Sequence, residues 1–258
     1  TASLDYDQSV TTPRFGLVWS PLAELEFFAN SGEGFRSPAE RELSPPGSLG
    51  PLGAAGGSAY PDLEPPKVKA RDFGVTTRLG QRLRLSASRY HTLNENEIRE
   101  TTAGSGIYAG IGDTTRDGWE LEANLYATAS LNFYGSIGRV RGRVNNPSNP
   151  GQDLISGLPE RSYRLGFDYT APFAAGTVLV NGDAYHITGM PYYSGSNPVP
   201  LYSRPYTRYD LRLAYEQGRN RYTVYATFQP REYASEQAGA TVDPRPRTDF
   251  GVAFLHKF

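Results

Sequence analysis

Hydrophobic and polar residues alternate with a period of two along most of this chain. Because successive side chains of a strand point to opposite faces of a sheet, this pattern predicts strands with one apolar and one polar face. About eleven such stretches are present, mostly long enough to cross a membrane at a tilt. They cover residues 13–20, 23–31, 67–79, 82–92, 114–127, 130–144, 160–171, 176–188, 206–216, 221–229 and 247–258. No helical periodicity of any length competes with them.

Three of these stretches show the alternation most clearly. Their apolar faces consist of Trp119, Leu121, Ala123, Leu125 and Ala127; of Tyr163, Leu165, Phe167 and Tyr169; and of Tyr209, Leu211, Leu213 and Tyr215. The intervening positions are mainly charged, polar or small. Each stretch therefore offers one side that is compatible with lipid.

The connections alternate between short turns and long polar loops rich in glycine and proline. The long loops lie near residues 32–66, 93–113, 145–159, 189–205 and 230–246. This alternation predicts an up-and-down sheet with short turns at the periplasmic rim and large loops at the exterior rim. A soluble sandwich or propeller is less favoured, because its strands are usually only about 5 to 6 residues long. The predicted fold is an all-β, transmembrane, antiparallel up-and-down β-barrel.

The composition of the chain excludes several classes of function and supports a membrane barrel. The net charge is −1, from 26 basic and 27 acidic residues without a block of one sign, which argues against a nucleic-acid partner. The chain has no cysteine and therefore no disulfide framework or thiol nucleophile. No run of about 18 apolar residues predicts a transmembrane helix, whereas the 12% aromatic content is typical of a membrane barrel.

The end of the chain continues the alternation with Phe250, Val252, Phe254 and Phe258. A terminal amphipathic strand that ends on phenylalanine resembles the C-terminal signature of bacterial outer-membrane β-barrels. The resemblance implies that these four residues form the assembly signal read by the barrel assembly machinery. It also implies a location in the bacterial cell outer membrane, in contact with its lipid.

The sequence also resembles the TonB-dependent outer-membrane receptor family. Residues 25–38 read L-E-F-F-A-N-S-G-E-G-F-R-S-P, similar to an aromatic strand followed by G-x-G-F-R-x-P in that family. Further similarities follow in the family's order at residues 63–67 and 72–74, 116–122, and 206–213 with 222–228. Pro66 and Asp72 depart from the family pattern, in which glutamate is usual at both positions, without affecting the barrel prediction.

The resemblance implies a receptor and transporter, not an enzyme, which takes up a scarce chelate, most commonly a ferric siderophore, with energy delivered through TonB. It implies 22 strands, a plug domain and a TonB box, of which residues 1–258 would supply the C-terminal part of the barrel. The remaining barrel half and the plug, through which TonB acts, are then expected partners. Alternatively, Leu4, Tyr6, Gln8 and Val10 form a twelfth strand that closes a small passive porin or structural barrel.

Few residues suggest other chemistry. His91, His186 and His256 lie in different predicted strands without a second ligand at metal spacing, so we expect no metal site and no cofactor. His91 lies near Asn94, Glu95 and Glu97, which leaves an outer-membrane hydrolase as a less favoured alternative. The glycine-rich residues 47–57 lack the Lys-Ser/Thr of a phosphate-binding loop.

The loop at 189–205 is the best candidate for ligand binding. Tyrosine gives a large contact area and arginine gives charge-assisted hydrogen bonds, which suit an anionic, aromatic chelate. The candidate residues in and around this loop are Tyr192, Tyr193, Tyr202 and Arg204, and those in other long loops are Arg36, Arg99 and Tyr108. For Tyr192 and Tyr206 the alternative is a place in the aromatic girdle at the membrane interface.

Overall fold

Eleven long strands form one antiparallel sheet in the computed structural model, which describes residues 10–39, 42, 63–100, 108–230 and 248–257. The long strands are β1 (Arg14–Leu22), β2 (Leu25–Phe35), β3 (Lys67–Leu79), β4 (Leu83–Glu95), β7 (Thr114–Tyr126), β8 (Leu131–Val144), β9 (Arg161–Phe173), β10 (Gly176–Ile187), β13 (Tyr206–Gln217), β14 (Asn220–Phe228) and β15 (Thr248–His256). Two short pairs lie in the long connections: β5 (Ile98–Glu100) with β6 (Tyr108–Gly110), and β11 (Pro191–Tyr192) with β12 (Leu201–Tyr202).

The long strands pair in chain order, from β1 at one edge to β15 at the other. The predicted all-β, up-and-down arrangement of eleven strands is therefore confirmed. β2 and β4 extend furthest beyond their predicted ends, because β2 stays in register with β3 as far as Phe35 and β4 stays in register with β3 as far as Glu95. The two short pairs were not predicted.

The two faces of the sheet differ in chemistry. Along one cross-strand row, Trp19, Phe27, Val75, Ala87 and Leu121 are successive register partners, and all are apolar. These side chains belong to a large exposed apolar surface, on which Leu121 is 46% exposed and Phe73 60% exposed. A surface of this kind requires an apolar environment. We call it the apolar face; the opposite side, the polar face, carries most of the acidic and amide side chains of the strands.

Large aromatic rings lie directly over glycines of the neighbouring strand. A Cβ atom added at Gly166 would lie 2.4 Å from Cζ of Tyr134, which is too close for any real contact. Glycine is unfavourable in a strand interior unless something packs into the space it leaves. The register partners that share this arrangement are Phe28 and Gly74, Tyr90 and Gly118, Tyr134 and Gly166, Phe167 and Gly182, and Tyr225 and Gly251.

The short turns are tight. Gly80 and Gly218 follow the ends of β3 and β13 with φ angles of 62° and 57°, a left-handed conformation that glycine adopts without steric cost.

Among the described residues, no helix is both long and apolar enough to cross a membrane.

The residues of the predicted assembly signal are only partly described. Phe250, Val252 and Phe254 lie on the apolar face of β15, whereas Phe258 lies outside the described residues. Of the alternative twelfth strand, Leu4, Tyr6 and Gln8 also lie outside them, and Val10 is in no strand. The assembly role remains a prediction.

Candidate ligand-binding surface

The polar face carries acidic side chains that are each held by neighbours. Arg164 donates from Nε to Oδ2 of Asp183 at 2.7 Å, and Tyr134 donates its hydroxyl to the same oxygen at 3.2 Å. The guanidinium also lies 5.2 Å from the centre of the Tyr134 ring. One carboxylate is thus fixed by a cation and a hydroxyl, which gives this part of the wall a defined hydrogen-bonding pattern.

A second cluster lies on the adjoining strands. Asp183 and Asp210 are register partners on β10 and β13, and like charges in this arrangement repel. Arg208 donates to Asp210 at 2.8 Å, and Thr227 donates to it at 2.6 Å. With Arg164 on Asp183, each carboxylate of the pair has its own cation, which offsets the repulsion.

A buried network connects the end of β4 with the start of β7. The side chain of Glu97 is 15% exposed and accepts hydrogen bonds from Thr114, Arg99 and Arg116, the two arginines at 2.9 Å. Thr114 is completely buried. Burial by itself raises the pKa of the Glu97 carboxyl, but these hydrogen bonds and the two arginine charges outweigh burial and lower the pKa to about 2.

Side-chain hydrogen bonds also connect the long loops to one another. Arg99 donates from Nη1 to the carbonyl oxygen of Ser156 at 2.9 Å, so β5 is tied to the connection between β8 and β9. The Tyr193 hydroxyl accepts the backbone N–H of Leu154 at 3.1 Å. Gln152 donates to two carbonyl oxygens in the connection between β10 and β13, at 2.8 and 2.9 Å. These three connections therefore form one continuous surface, which we call the loop rim.

A cavity of about 590 Å³ lies in the loop rim, above β8 and β9. Tyr202 and Pro191, the paired residues of β11 and β12, line one side of it. Leu154, Ile155 and Leu158 contribute apolar surface, and the charged residues that line it are Arg141, Arg143, Glu160 and Arg161. The cavity combines an aromatic ring, apolar side chains and guanidinium groups, which is the chemistry that an anionic organic chelate requires.

The structure distributes the predicted ligand-binding residues over the long-loop end of the sheet. Tyr192, Tyr193 and Tyr202 lie in or next to one short hairpin, and Arg204 follows it as an exposed side chain. Of these, only Tyr202 lines the cavity. Tyr206, the alternative girdle residue, lies on the polar face, where its ring contacts Tyr185 edge-on at 6.4 Å.

The remaining predicted residues serve largely as structural ties. Arg99 holds Glu97 and Ser156, and Tyr108 lies in β6, opposite β5. Arg36 donates two hydrogen bonds to Glu42, at 2.6 and 2.8 Å, and these bonds together with the charges of Glu42 and Glu97 raise the pKa of its guanidinium. Carboxylates thus compensate both arginines already. That any of the seven residues binds ligand remains a prediction.

The arginines around the cavity were missed, although the sequence contained a signal. Residues 139–143 read R-V-R-G-R, which places Arg139, Arg141 and Arg143 on the same face of β8. A strand face that changes from apolar to cationic within its length marks the end of the part facing lipid. The periodicity was therefore informative beyond the strand assignment.

Each of the three histidines has a different hydrogen-bond partner. Nδ1 of His91 lies 2.8 Å from Asp117, that of His186 lies 2.8 Å from Thr207, and that of His256 lies 2.7 Å from Asn220. In the described part of the chain, no group of three or more His, Cys, Asp or Glu side chains is placed to hold a metal ion. His91 is bonded to Asp117, rather than to the Asn94, Glu95 and Glu97 cluster of the hydrolase alternative.

Known proteins share this architecture. Residues 1–229 match the family described as TonB dependent receptor-like, beta-barrel. The sequence has no significant match among curated proteins.

Among solved structures, the fold is similar to BauA, the ferric preacinetobactin receptor of Acinetobacter baumannii, with a TM-score of 0.65 and 15% identity over 96% of this chain. It is also similar to FyuA, the ferric yersiniabactin uptake receptor of Yersinia pestis, with a TM-score of 0.69 and 13% identity over 95% of the chain. The copper transporter OprC gives a TM-score of 0.70 and 17% identity over 95% of the chain.

The chain spans 36%, 37% and 39% of the lengths of these three structures. Such low identities show a shared fold, whereas the match to the family covers most of the sequence. The chain therefore belongs to the TonB-dependent receptor-like β-barrel family, whose members are transport receptors of the bacterial outer membrane and not enzymes.

Proposed function

We propose that this chain forms part of the wall and of the exterior loop rim of a receptor that takes up a ferric siderophore, with energy delivered through TonB. In this proposal the apolar face contacts outer-membrane lipid and the polar face lines the lumen. The long loops face the exterior and the short turns face the periplasm. The observation that carries the proposal is the loop rim, whose cavity is held open by side-chain ties between three connections.

The ties favour ligand binding because they place the lining residues before the ligand arrives. A loop that must become ordered on binding loses affinity to conformational entropy, whereas a preorganised site avoids that cost. Arg99 and Tyr193 serve this purpose by holding the connection between β8 and β9. Their role in the proposal is to position the rim, not to contact the chelate.

The exposed groups next to the cavity fit the chemistry of a ferric siderophore. Such a chelate presents anionic oxygen donors and often aromatic rings. Tyr202 offers an exposed ring at the wall of the cavity, and Arg204 offers an exposed guanidinium two residues further along. Ring stacking and charge-assisted hydrogen bonds are the interactions that these groups supply. Two of the similar structures are receptors of ferric chelates by their own descriptions.

TonB coupling is the part of the proposal that rests most on the family. A plug domain fills the lumen of these receptors and receives the energy from TonB, by the resemblance described above. The polar face supplies a wall of held carboxylates and guanidinium groups, such as Asp183 with Arg164, against which a polar plug surface can form hydrogen bonds. The whole receptor is therefore the unit to be tested.

The test uses the protein with every segment that its gene encodes, expressed in an iron-limited strain that lacks its own siderophore receptors. Uptake of a panel of ferric siderophores labelled with radioactive iron is measured with and without TonB. We expect saturable uptake of one of them, abolished in the strain without TonB. Uptake that is linear with concentration and independent of TonB would instead establish a passive pore and refute the proposal.

Two variants locate the binding surface. Tyr202→Ala and Arg204→Ala should each weaken binding of the transported chelate about tenfold, the loss expected for a stacked ring or a charge-assisted hydrogen bond. Arg82→Ala, in the short turn at the opposite rim, is the matched control and should bind normally. Equal losses in Arg82→Ala and Arg204→Ala would contradict the assignment of the site.

A further inference from the structure

The apolar face contains a groove that the transport function does not use. It has a volume of about 520 Å³ and crosses four adjacent strands, β2, β3, β4 and β7. The large side chains Phe27, Phe73, Trp119 and Leu121 form its walls, and Val75 and Ala87 form its floor. A groove lined almost entirely by apolar side chains suits a hydrocarbon chain better than it suits bulk solvent.

An arginine lines the groove beside its aromatic residues. Arg89 lies on β4 between its register partners Phe73 and Trp119, and its side chain is exposed on the apolar face. Outward positions of β4 before it, at Leu83, Leu85 and Ala87, are apolar. The strand therefore changes from lipid-compatible to charged at this residue, which is expected at the edge of the hydrocarbon region.

A second arginine lies diagonally next to Arg89. Arg71 is the register partner of His91, one step outward from the pair of Phe73 and Arg89, and diagonal neighbours on one face are about 7 to 8 Å apart. Neither arginine forms an ion pair with a residue in the described ranges. Asp117, the acidic residue of that row, is bonded to His91 at 2.8 Å.

We propose that this groove binds a phosphate-bearing lipid of the outer leaflet, with an acyl chain over Val75 and Ala87 and the phosphate held by Arg89 and Arg71. An unpaired guanidinium at an apolar surface is costly unless it reaches water or an anion. A phosphate accepts the parallel N–H groups of a guanidinium, which makes arginine well suited to it. The acyl chain covers the exposed groove, and the head group neutralises the two charges.

The proposal depends on the apolar face lying against lipid, but not on the identity of the transported chelate. It can therefore fail while siderophore uptake is confirmed, and the reverse also holds. The two sites lie on different strands, since the groove extends from β2 to β7 and the cavity of the loop rim lies above β8 and β9.

Binding is measured on the protein with every segment that its gene encodes, purified in non-ionic detergent and stripped of lipid. Diphosphorylated lipid A is the probe, and native mass spectrometry counts the molecules retained at each concentration. Arg89→Gln should weaken retention about tenfold, the effect of losing a charge-assisted contact to phosphate, and Arg71→Gln with Arg89→Gln should weaken it further. Arg84→Gln is the matched control, because Arg84 lies on the same strand but on the polar face.

Three further measurements decide the chemistry. Lipid A without phosphates should bind to the parent protein as weakly as diphosphorylated lipid A binds to the Arg89→Gln variant. Millimolar inorganic phosphate should not displace the diphosphorylated lipid. Heat-modifiable migration should be normal in all variants, which shows that the barrel is folded. Equal retention by Arg89→Gln and the parent protein would overturn the proposal, as would equal losses in Arg84→Gln or full displacement by inorganic phosphate.

Discussion

The contact between Tyr134 and Gly166 allows a sharp test of how this sheet is held together. These residues are register partners on β8 and β9, and the Tyr134 ring covers the glycine. Gly166→Ala would place a methyl group 2.4 to 2.6 Å from three atoms of the Tyr134 side chain, so the ring must move away. Its hydroxyl would then leave Asp183, to which it donates a hydrogen bond.

The magnitude follows from these two losses. Overpacking by one methyl group costs about 1 to 3 kcal/mol, and loss of a hydrogen bond adds about 0.5 to 1.5 kcal/mol. Against this, replacing glycine by alanine in a strand gains about 0.4 to 1 kcal/mol from the reduced entropy of the unfolded chain. The net expected destabilisation is therefore about 0.5 to 4 kcal/mol, which is roughly a two- to 900-fold change in the unfolding equilibrium.

Urea unfolding in lipid vesicles, followed by tryptophan fluorescence, measures this change. Gly34→Ala is the control, since nothing lies within 4 Å of a Cβ atom added at Gly34 and that variant should be neutral or slightly stabilised. In a Tyr134→Ala background, Gly166→Ala should lose its cost, because all three crowding atoms belong to the Tyr134 side chain. If Gly166→Ala is as stable as Gly34→Ala, or if its cost persists without the ring, the contact does not hold these strands together.

Two further predictions concern the loop rim. The pKa of Glu97 is about 2 in the folded protein against an ordinary value of 4.5, so its ionic contacts contribute fully above pH 4.5 and are lost as the pH falls towards 2. Glu97→Gln should lower local stability at pH 7 by on the order of 3 kcal/mol and should remove this pH dependence. Hydrogen exchange of residues 108–116 between pH 2 and 7 measures both effects, and a pH profile equal to that of the parent protein would contradict the prediction. Tyr193→Phe should raise proteolytic cleavage within residues 145–160 several-fold, because the variant loses hydrogen bonds worth about 0.5 to 1.5 kcal/mol. The unfolding of the barrel should not change. Cleavage equal to that of the parent protein would show that the hydrogen bonds of Tyr193 are not needed to hold this loop.

The strands could be predicted from the sequence because the alternation of apolar and polar residues within each strand distinguishes its two faces. Leu165 on β9 lies on the apolar face while its neighbour Arg164 lies on the polar face, and this contrast is visible without knowledge of any other strand. The order of strands followed as well, since short turns leave consecutive strands no choice of partner. For the eleven long strands only the ends were inaccurate, as at Phe35, where pairing with β3 continues through a glycine-rich segment.

The loop rim could not be predicted in the same way. The hydrogen bond from Arg99 to Ser156 joins residues 57 positions apart, and that from Leu154 to Tyr193 joins residues 39 apart. No local pattern records a contact of this kind, because the partner can be any loop that the sheet brings near. The prediction assigned Arg99 and Tyr193 to the ligand, and that role remains a prediction. The structure adds the contacts by which both residues hold neighbouring loops.

The glycines of the sheet connect its stability to the chemistry of its polar face. By propensity, Gly166 weakens β9, and a sequence-based account would count it as a defect. In the structure, its missing side chain leaves room for the Tyr134 ring, whose hydroxyl then reaches Asp183 beside Arg164. The residue that costs strand propensity thus sets the position of a hydrogen-bonding group on the wall. Strand-interior glycines that face an aromatic partner on the polar face are therefore positions where a substitution changes both the stability of the sheet and the hydrogen-bonding pattern of that face.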